Sequence, residues 1–292
     1  MNNKGPITAG AEPKGVLITG CSSGIGRAAA VKLAEHGFIV FATVRKESDS
    51  KNLRNLNISN LVPISPVDLS NLDHITSAAG IVTDEIRKRG MTGLYALINN
   101  AGGGSPSPIE LMDLEKFHKE LQTRVLGSVA MVQAFLPMIR TANGLIVWIM
   151  TPAIIPTPYV AGIHACDFAV NCIVRTLNIE TKQWQVPNIM VRCGGIKTPS
   201  GLRTTSDVEA LLQHGARERV SLYQAALQKW AGEMSKFDSK RTDPEKVSEV
   251  ILNALTAQHP KRYYSIGYMA RAASILEAMP QSVTDWLLRM RF

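Results

Sequence analysis

The chain has no long hydrophobic run. Stretches such as Gly144 to Met150 fall far short of the roughly 20 apolar residues that a membrane span needs. The N-terminus offers neither an apolar signal core nor an Arg-rich amphipathic helix, so the expectation is a cytoplasmic protein without a membrane span. Cysteine is scarce. Cys21, Cys166, Cys172 and Cys193 are the only four, and they form no CxxC pair and have no zinc-like spacing to histidine, so neither a disulfide nor a metal site is expected. Charge is thin as well, at 19% of residues. The net charge is +8, but Lys and Arg are scattered and no aromatic-interleaved basic run occurs. That argues against nucleic acid as a partner, while a phosphorylated small ligand would use the same positive charge. Internal repeats and low-complexity tracts are also missing.

What is present is 45% hydrophobic residue in 292 positions, enough to bury one large core. Residues 1–14, polar and holding Pro6 and Pro13, read as a flexible tail; residues 15–292 read as one domain. Within it, Val16 to Thr19, Phe38 to Thr43, Leu61 to Ile64, Leu94 to Asn99, Leu145 to Met150 and Ile189 to Cys193 are short apolar runs of the kind that form buried strands. Helix-period segments fill the intervals, at Gly26 to His36, Asp73 to Arg89, Asp113 to Ile139 and Val160 to Gln183. Alternation of this kind predicts an α/β fold, a Rossmann-like doubly wound parallel sheet with helices on both faces. After Pro199 a helix-patterned segment of about 200–240 carries Leu202, Val208, Leu211, Leu212, Val220, Leu222, Tyr223 and Leu227. It reads as an apolar lid over a sizeable apolar small-molecule substrate, or simply as completion of the core. Residues 241–292 are expected to supply C-terminal helices and a last strand.

Ligands of doubly wound sheets lie beyond the carboxyl ends of the strands. The first apolar run is followed there by Thr19-Gly20-Cys21-Ser22-Ser23-Gly24-Ile25-Gly26, which opens directly into a helix. Glycine allows positive φ and close backbone approach, and a helix N-terminus presents unpaired N–H groups to a diphosphate. Gly20, Ser22, Ser23, Gly24, Ile25 and Gly26 are therefore the expected phosphate cradle. The spacing TGxxxGxG resembles the short-chain dehydrogenase/reductase family. Further residues carry the resemblance: Asp68 after the third strand, Asn99-Asn100-Ala101-Gly102, and Gly194-Gly195-Ile196-Lys197-Thr198-Pro199, the last with Cys193 where the family usually has Pro. It spans about Gly15 to Pro199. It implies that Asp68 contacts the adenine, that Asn99, Ala101 and Gly102 belong to the segment bracing the central sheet at the cofactor, and that Gly194, Ile196 and Thr198 cover its nicotinamide end. At the end of the second strand, where relatives that bind NAD carry an acid, stands Val44-Arg45-Lys46. A cationic pocket without a carboxylate favours the 2′-phosphate of NADP(H), with Arg45 and Lys46 as its ligands.

The family's catalytic tetrad of Asn, Ser, Tyr and Lys is largely replaced. Its V-N-x-x-G stretch corresponds to Thr123-Arg124-Val125-Leu126-Gly127, which puts Arg124 at the Asn position. Its Y-x-x-S-K stretch corresponds to Ile163-His164-Ala165-Cys166-Asp167, which puts Ile163 at Tyr and Asp167 at Lys. Counting from the fifth strand places Thr151 at Ser, whereas counting back from Ile163 gives Met150; the strand end fixes the hydroxyl, so Thr151 is preferred. Isoleucine cannot transfer a proton, and a positioned acid or base is typically worth about 10²- to 10⁴-fold in rate. Neutral Asn has become a cation and cationic Lys an anion, which predicts an Arg124–Asp167 ion pair, with a purely structural role equally open. Tyr159, four residues before Ile163, would share a helix face with it and could present its phenol to the site; on a lip ahead of the helix it would only shape the pocket. His164 and Cys166 do not share a face, which disfavours a Cys–His nucleophile.

Three readings are open. One is hydride transfer to a substrate already activated, such as an iminium, which needs no phenol. Another is a non-redox isomerisation, cyclisation or dehydration in which Arg124, Asp167 and, in one variant, Tyr159 polarise the substrate while the dinucleotide is absent or structural; Thr151 would add its hydroxyl to the catalytic set. The third is a non-catalytic scaffold or sensor that binds NADP(H). In every case the resemblance implies a homodimer or homotetramer built on the helices around 113–139 and 160–183.

Overall fold

A computed structural model describes residues 12–151, 156–202, 204–214 and 217–291. Most of the tail expected over residues 1–14 lies outside them. In chain order the elements are β1 (Gly15–Ile18), α1 (Gly24–Glu35), β2 (Ile39–Thr43), α2 (Glu47–Arg54), β3 (Leu61–Ile64), α3 (Leu72–Lys88), β4 (Leu94–Asn99), α4 (Leu114–Leu121), α5 (Gly127–Thr141), β5 (Leu145–Met150), α6 (Ala161–Glu180), β6 (Asn188–Cys193), α7 (Pro199–Leu202), α8 (Thr204–His214), α9 (Arg217–Asp238), α10 (Pro244–Thr256), β7 (Tyr263–Ile266), α11 (Ala270–Glu277) and α12 (Gln281–Arg291).

The strands form one seven-stranded sheet in the order β3-β2-β1-β4-β5-β6-β7, and every pairing is parallel. Parallel strands need crossovers, and crossovers put helices on both faces; this is why the central strands are apolar at nearly every position rather than alternating. All four residues of β1 and all five of β2 are buried. Successive side chains of β1 go to opposite faces. Val16 and Ile18 enter a core with Ala29 and Leu33 of α1 and Val247 and Ile251 of α10. Leu17 enters the other with Ile75 and Val82 of α3, Phe135 of α5 and Val170 of α6. The strand order reverses between β1 and β4, and the helices that follow the two strands leave for opposite faces, which opens a crevice beyond the strand ends.

Two features depart from the helix periodicity. The run expected as one helix over Asp113–Ile139 is α4 and α5 joined by a π-helical turn at Gln122–Leu126, with the Gly127 N–H bonded back to the Gln122 carbonyl. Helical α6 begins at Ala161, so Tyr159 and Val160 precede it. Beyond Pro199, Val208, Leu227 and Trp230 make a small core of their own, against which Tyr159, Leu211, Leu212 and Tyr223 pack. Leu202 and Leu222 of the expected lid stay exposed. No helix among the described residues is long and apolar enough to cross a membrane.

Candidate active site

The turns after β1 and β4 brace one another. Thr19 Oγ1 accepts the N–H groups of Asn100 and Ala101, both at 2.9 Å, and the Asn100 amide donates to the carbonyls of Thr19 at 2.8 Å and Gly20 at 3.2 Å. Gly20 holds φ of +73° and Gly24 +58°, conformations that a Cβ makes costly. A Cβ on Gly26 would collide with the Gly20 carbonyl oxygen, so glycine there lets α1 start directly against the turn. Ser23, the N-cap of α1, makes no side-chain cap bond. The first-turn N–H groups therefore remain available to an anion.

These turns open on a cleft of about 680 Å³. Gly20, Ser22, Ser23, Gly24 and Ile25 line it, as do Arg45, Lys46, Ala101, Gly102, Gly194, Ile196 and Thr198. Three residues expected to touch a cofactor are placed otherwise. Gly26 sits beneath the turn, and its contribution is the close approach just described. Asn99 is only 5% exposed, and among the described residues its side-chain amide has no hydrogen-bond partner. Asp68 is flanked by the cleft-lining Val67 and Leu69, but its carboxylate turns to Ser70, accepting the N–H at 3.0 Å and the hydroxyl at 2.7 Å. Burial pushes that carboxyl up; the Ser70 bonds and the nearby Arg45 charge outweigh it and hold the carboxyl below its ordinary range. The Thr198-Pro199 segment closes on the cradle from the far side, since a Cβ on Gly24 would lie 3.0 Å from Thr198 Cγ2.

At the other end of the cleft, Arg124 and Asp167 form a direct ion pair through the guanidinium Nη2 and carboxylate Oδ1. The π-turn carries Arg124 and α6 carries Asp167. The second carboxylate oxygen, Oδ2, accepts the Thr151 N–H at 3.0 Å, and Arg124 Nη1 donates to the Gly103 carbonyl at 3.4 Å. Asp167 thus has both oxygens engaged and is 3% exposed. The Arg124 Nε and Thr151 Oγ1 atoms are buried without a partner among the described residues, although Arg124 and Thr151 both line the cleft. Both atoms have bonding capacity left over. Cys166, beside the pair, has its thiol pushed up to about 11 by burial despite the Arg124 charge, so it is no thiolate nucleophile.

Of the two placements open for Tyr159, the structure has the one ahead of the helix, not the shared face with Ile163. Tyr159 has φ of +67° and precedes α6, and its ring lies edge-on to Trp230 with centroids 5.7 Å apart. It belongs to the small core under α8 and α9. Trp148 is buried in the sheet, with its indole N–H on Asn188 Oδ1 at 3.2 Å. Sequence reasoning passed over Glu120, which lines the cleft at the last turn of α4. Its spacing of four residues to Arg124 was the available signal, although such a pair reads first as ordinary helix-surface electrostatics.

A parallel sheet with a glycine-lined phosphate cradle at its switch point defines a dinucleotide-type binding protein. The family model described as short chain dehydrogenase matches residues 14–209, and the chain belongs to that family. It is 31% identical over 261 residues to 3-amino-tetrahydro-pyrrolizinone reductase of Xenorhabdus hominickii, covering 87% of each protein. To retinol dehydrogenase 16 of Mus musculus it is 28% identical over 283 residues, covering 95% of this chain and 88% of that one. Among solved structures, a short-chain dehydrogenase from Streptomyces avermitilis superimposes with a TM-score of 0.73 at 20% identity, over 97% of this chain and 99% of that one. Another, from Burkholderia cenocepacia J2315 in complex with NADP, gives 0.71 at 20% identity over 95% and 98%. These likenesses establish the shared fold.

Proposed function

We propose that this protein is an NADP(H)-dependent oxidoreductase that reduces a carbon–nitrogen double bond, as imine or iminium, in a sizeable apolar molecule. The observation that carries this reading is the centre itself: the phosphate cradle is complete, while Ile163 and the paired Asp167 stand where relatives use a phenol and a lysine. When bound, NADPH supplies the hydride. Gly20 to Ile25 and the α1 N-terminus would hold its diphosphate, Arg45 and Lys46 its 2′-phosphate, and Gly194, Ile196 and Thr198 its amide end. Val67 and Leu69 offer apolar contact to the adenine.

An alcohol–ketone reaction would require the chain to move a proton at oxygen, and neither Ile163 nor an engaged Asp167 can do so. An imine nitrogen is far more basic than a ketone oxygen and reaches the cationic state without a phenol. The Xenorhabdus relative, named as a reductase of an amino-substituted nitrogen bicycle, supports a nitrogen-containing substrate. Asp167 then acts through Arg124: it holds the guanidinium and the Thr151 backbone in place, so that Thr151 Oγ1 and the Arg124 edge orient the substrate. Gly104, backed by the Ile163 side chain, supplies an apolar stretch of the cleft wall that would keep water from the reacting carbon.

The test is oxidation of NADPH, followed by its near-ultraviolet absorbance, with the small cyclic imine 1-pyrroline and with cyclohexanone. Turnover of the imine with negligible turnover of the ketone is expected. Comparable ketone reduction would return the ordinary reductase reading, and tight NADPH binding with neither reaction would favour the non-catalytic sensor.

A further inference from the structure

We propose that Glu120 is the acid of this site, its carboxyl giving a proton to the basic nitrogen of the substrate and, once ionised, holding the resulting cation. This rests on the imine reading above and names the group that reading lacks. Asp167 cannot fill the role, because Arg124 takes one oxygen and the Thr151 N–H the other.

Three observations converge on Glu120. First, it stands at the seam between the cleft and a second cavity of about 300 Å³ whose walls include Pro106, Leu111, Phe117 and Leu211. A molecule reaching from this second cavity, which Asp113, Lys116 and Asp207 also line, into the cleft passes this carboxyl. Secondly, the Ser105 N–H fixes Oε1 at 3.1 Å, and among the described residues no hydrogen bond engages Oε2. A Cβ on Gly104 would meet Oε2 at 3.0 Å and would also run into the side chain of Ile163; one on Gly162 would meet Oε2 at 3.3 Å. The free oxygen and Ile163 therefore flank the same spot, and Glu120 places an acidic group beside the position from which a phenol has been lost. The two glycines make this approach possible.

Thirdly, burial pushes the Glu120 carboxyl above its ordinary range, against the Ser105 hydrogen bond and the Arg124 charge, which act to lower it. A carboxyl set closer to neutrality is a better proton donor at working pH. The other ionisable groups around it are Arg124 from the π-turn, Cys166 from α6 with its thiol held neutral, Asp207 of α8, Lys116 and Lys119 of α4, and Asp113 just ahead of α4. Lys116 lies 3.6 Å from Asp113. Arg124 is itself ion-paired with Asp167.

The step balances. The substrate nitrogen lone pair takes the Glu120 proton as the carboxyl O–H breaks, giving an iminium beside a carboxylate. Addition of hydride from the dinucleotide to the carbon moves the C=N π pair onto nitrogen. An amine results, and water reprotonates Glu120.

The test uses the full chain and Glu120→Gln, an isosteric change that can keep the Ser105 bond. NADPH binding by fluorescence titration should be unchanged. For 1-pyrroline, kcat/KM should fall about 100-fold, and its pH profile should lose the limb set by the carboxyl while keeping the one set by the substrate. A structural role would leave that profile's shape intact. If the wild type turns over 1-pyrroline and Glu120→Gln matches it, Glu120 is overturned while the imine reading stands. Should 1-pyrroline not be turned over at all, calorimetry with pyrrolidinium on the NADP-loaded protein still decides. Binding at least tenfold weaker in Glu120→Gln supports the assignment, and equal binding, including none in either protein, overturns it.

Discussion

Separating Arg124 from Asp167 should be among the most damaging single changes that can be made near the cleft. The two side chains are 14% and 4% exposed, so water cannot readily replace a lost partner. In Asp167→Ala the guanidinium loses its direct partner and keeps the long bond to the Gly103 carbonyl and the neighbourhood of Glu120 and Cys166, while the Thr151 N–H loses its acceptor. In Arg124→Ala the carboxylate keeps only that N–H. Removing one member of a buried pair typically costs about 3–5 kcal/mol. A domain of this size is typically stable by about 5–15 kcal/mol, so each variant should remain folded but melt at markedly lower denaturant. The double variant strands neither member of the pair and should be destabilised by less than the sum, with a coupling of about 1–3 kcal/mol. Urea unfolding of all four proteins, followed by tryptophan fluorescence, gives the cycle. Losses that add within about 0.5 kcal/mol would refute the claim that the pair is an interacting, desolvated unit.

Arg45→Ala should weaken NADPH binding about tenfold, or about 1.4 kcal/mol, and leave NADH binding unchanged in a fluorescence titration; equal effects on both would remove Arg45 from the 2′-phosphate. Gly26→Ala forces a methyl into the Gly20 carbonyl and the Asn100 amide, which should cost about 1–3 kcal/mol and abolish dinucleotide binding, as thermal melts with and without NADPH would read out. Glu120 titrates higher in the folded chain than in the unfolded one, so its contribution to stability is full below the ordinary glutamate range and is lost as pH rises through the elevated folded value. Glu120→Gln should flatten that part of the stability–pH curve, and an unaltered curve would deny the elevated value. Sedimentation should show a homodimer or homotetramer at micromolar concentration, consistent with the exposed Phe168 and Ile179 on α6; a monomer would contradict the proposed assembly.

The sheet was legible because strands covered on both faces must be apolar along their whole length, and six such runs stand out between polar helices. α2 was not, since among its eight residues only Ser50 and Leu53 are buried and no apolar stripe forms. The Arg124–Asp167 contact could be anticipated because the two exchanged charge types sit at positions the family brings together. Tyr159 was open between a helix face and a lip ahead of the helix; the left-handed backbone there turns its ring toward Trp230, a conformation that periodicity does not report. Asp68 was identified by position alone, and the Ser70 hydroxyl that turns its carboxylate aside is a local competition no spacing rule reports. Glu120 was missed because nothing in the sequence indicates which of several helix-surface acids faces a cavity.

The π-turn between α4 and α5 bears on how this centre could change over time. Each residue of a regular helix advances the side chain by about 100°, so the wider turn at Gln122–Leu126 sets the two helices at different angular phases along one rod. Arg124 and Glu120 are consequently separable by indel as well as by substitution. Deleting Thr123 would restore a regular helix and swing Glu120 around the rod, while α5 and its core contacts held Arg124 near Asp167. A single codon lost or gained there could therefore retune the acidity lining this cleft without altering any residue that touches the phosphate cradle.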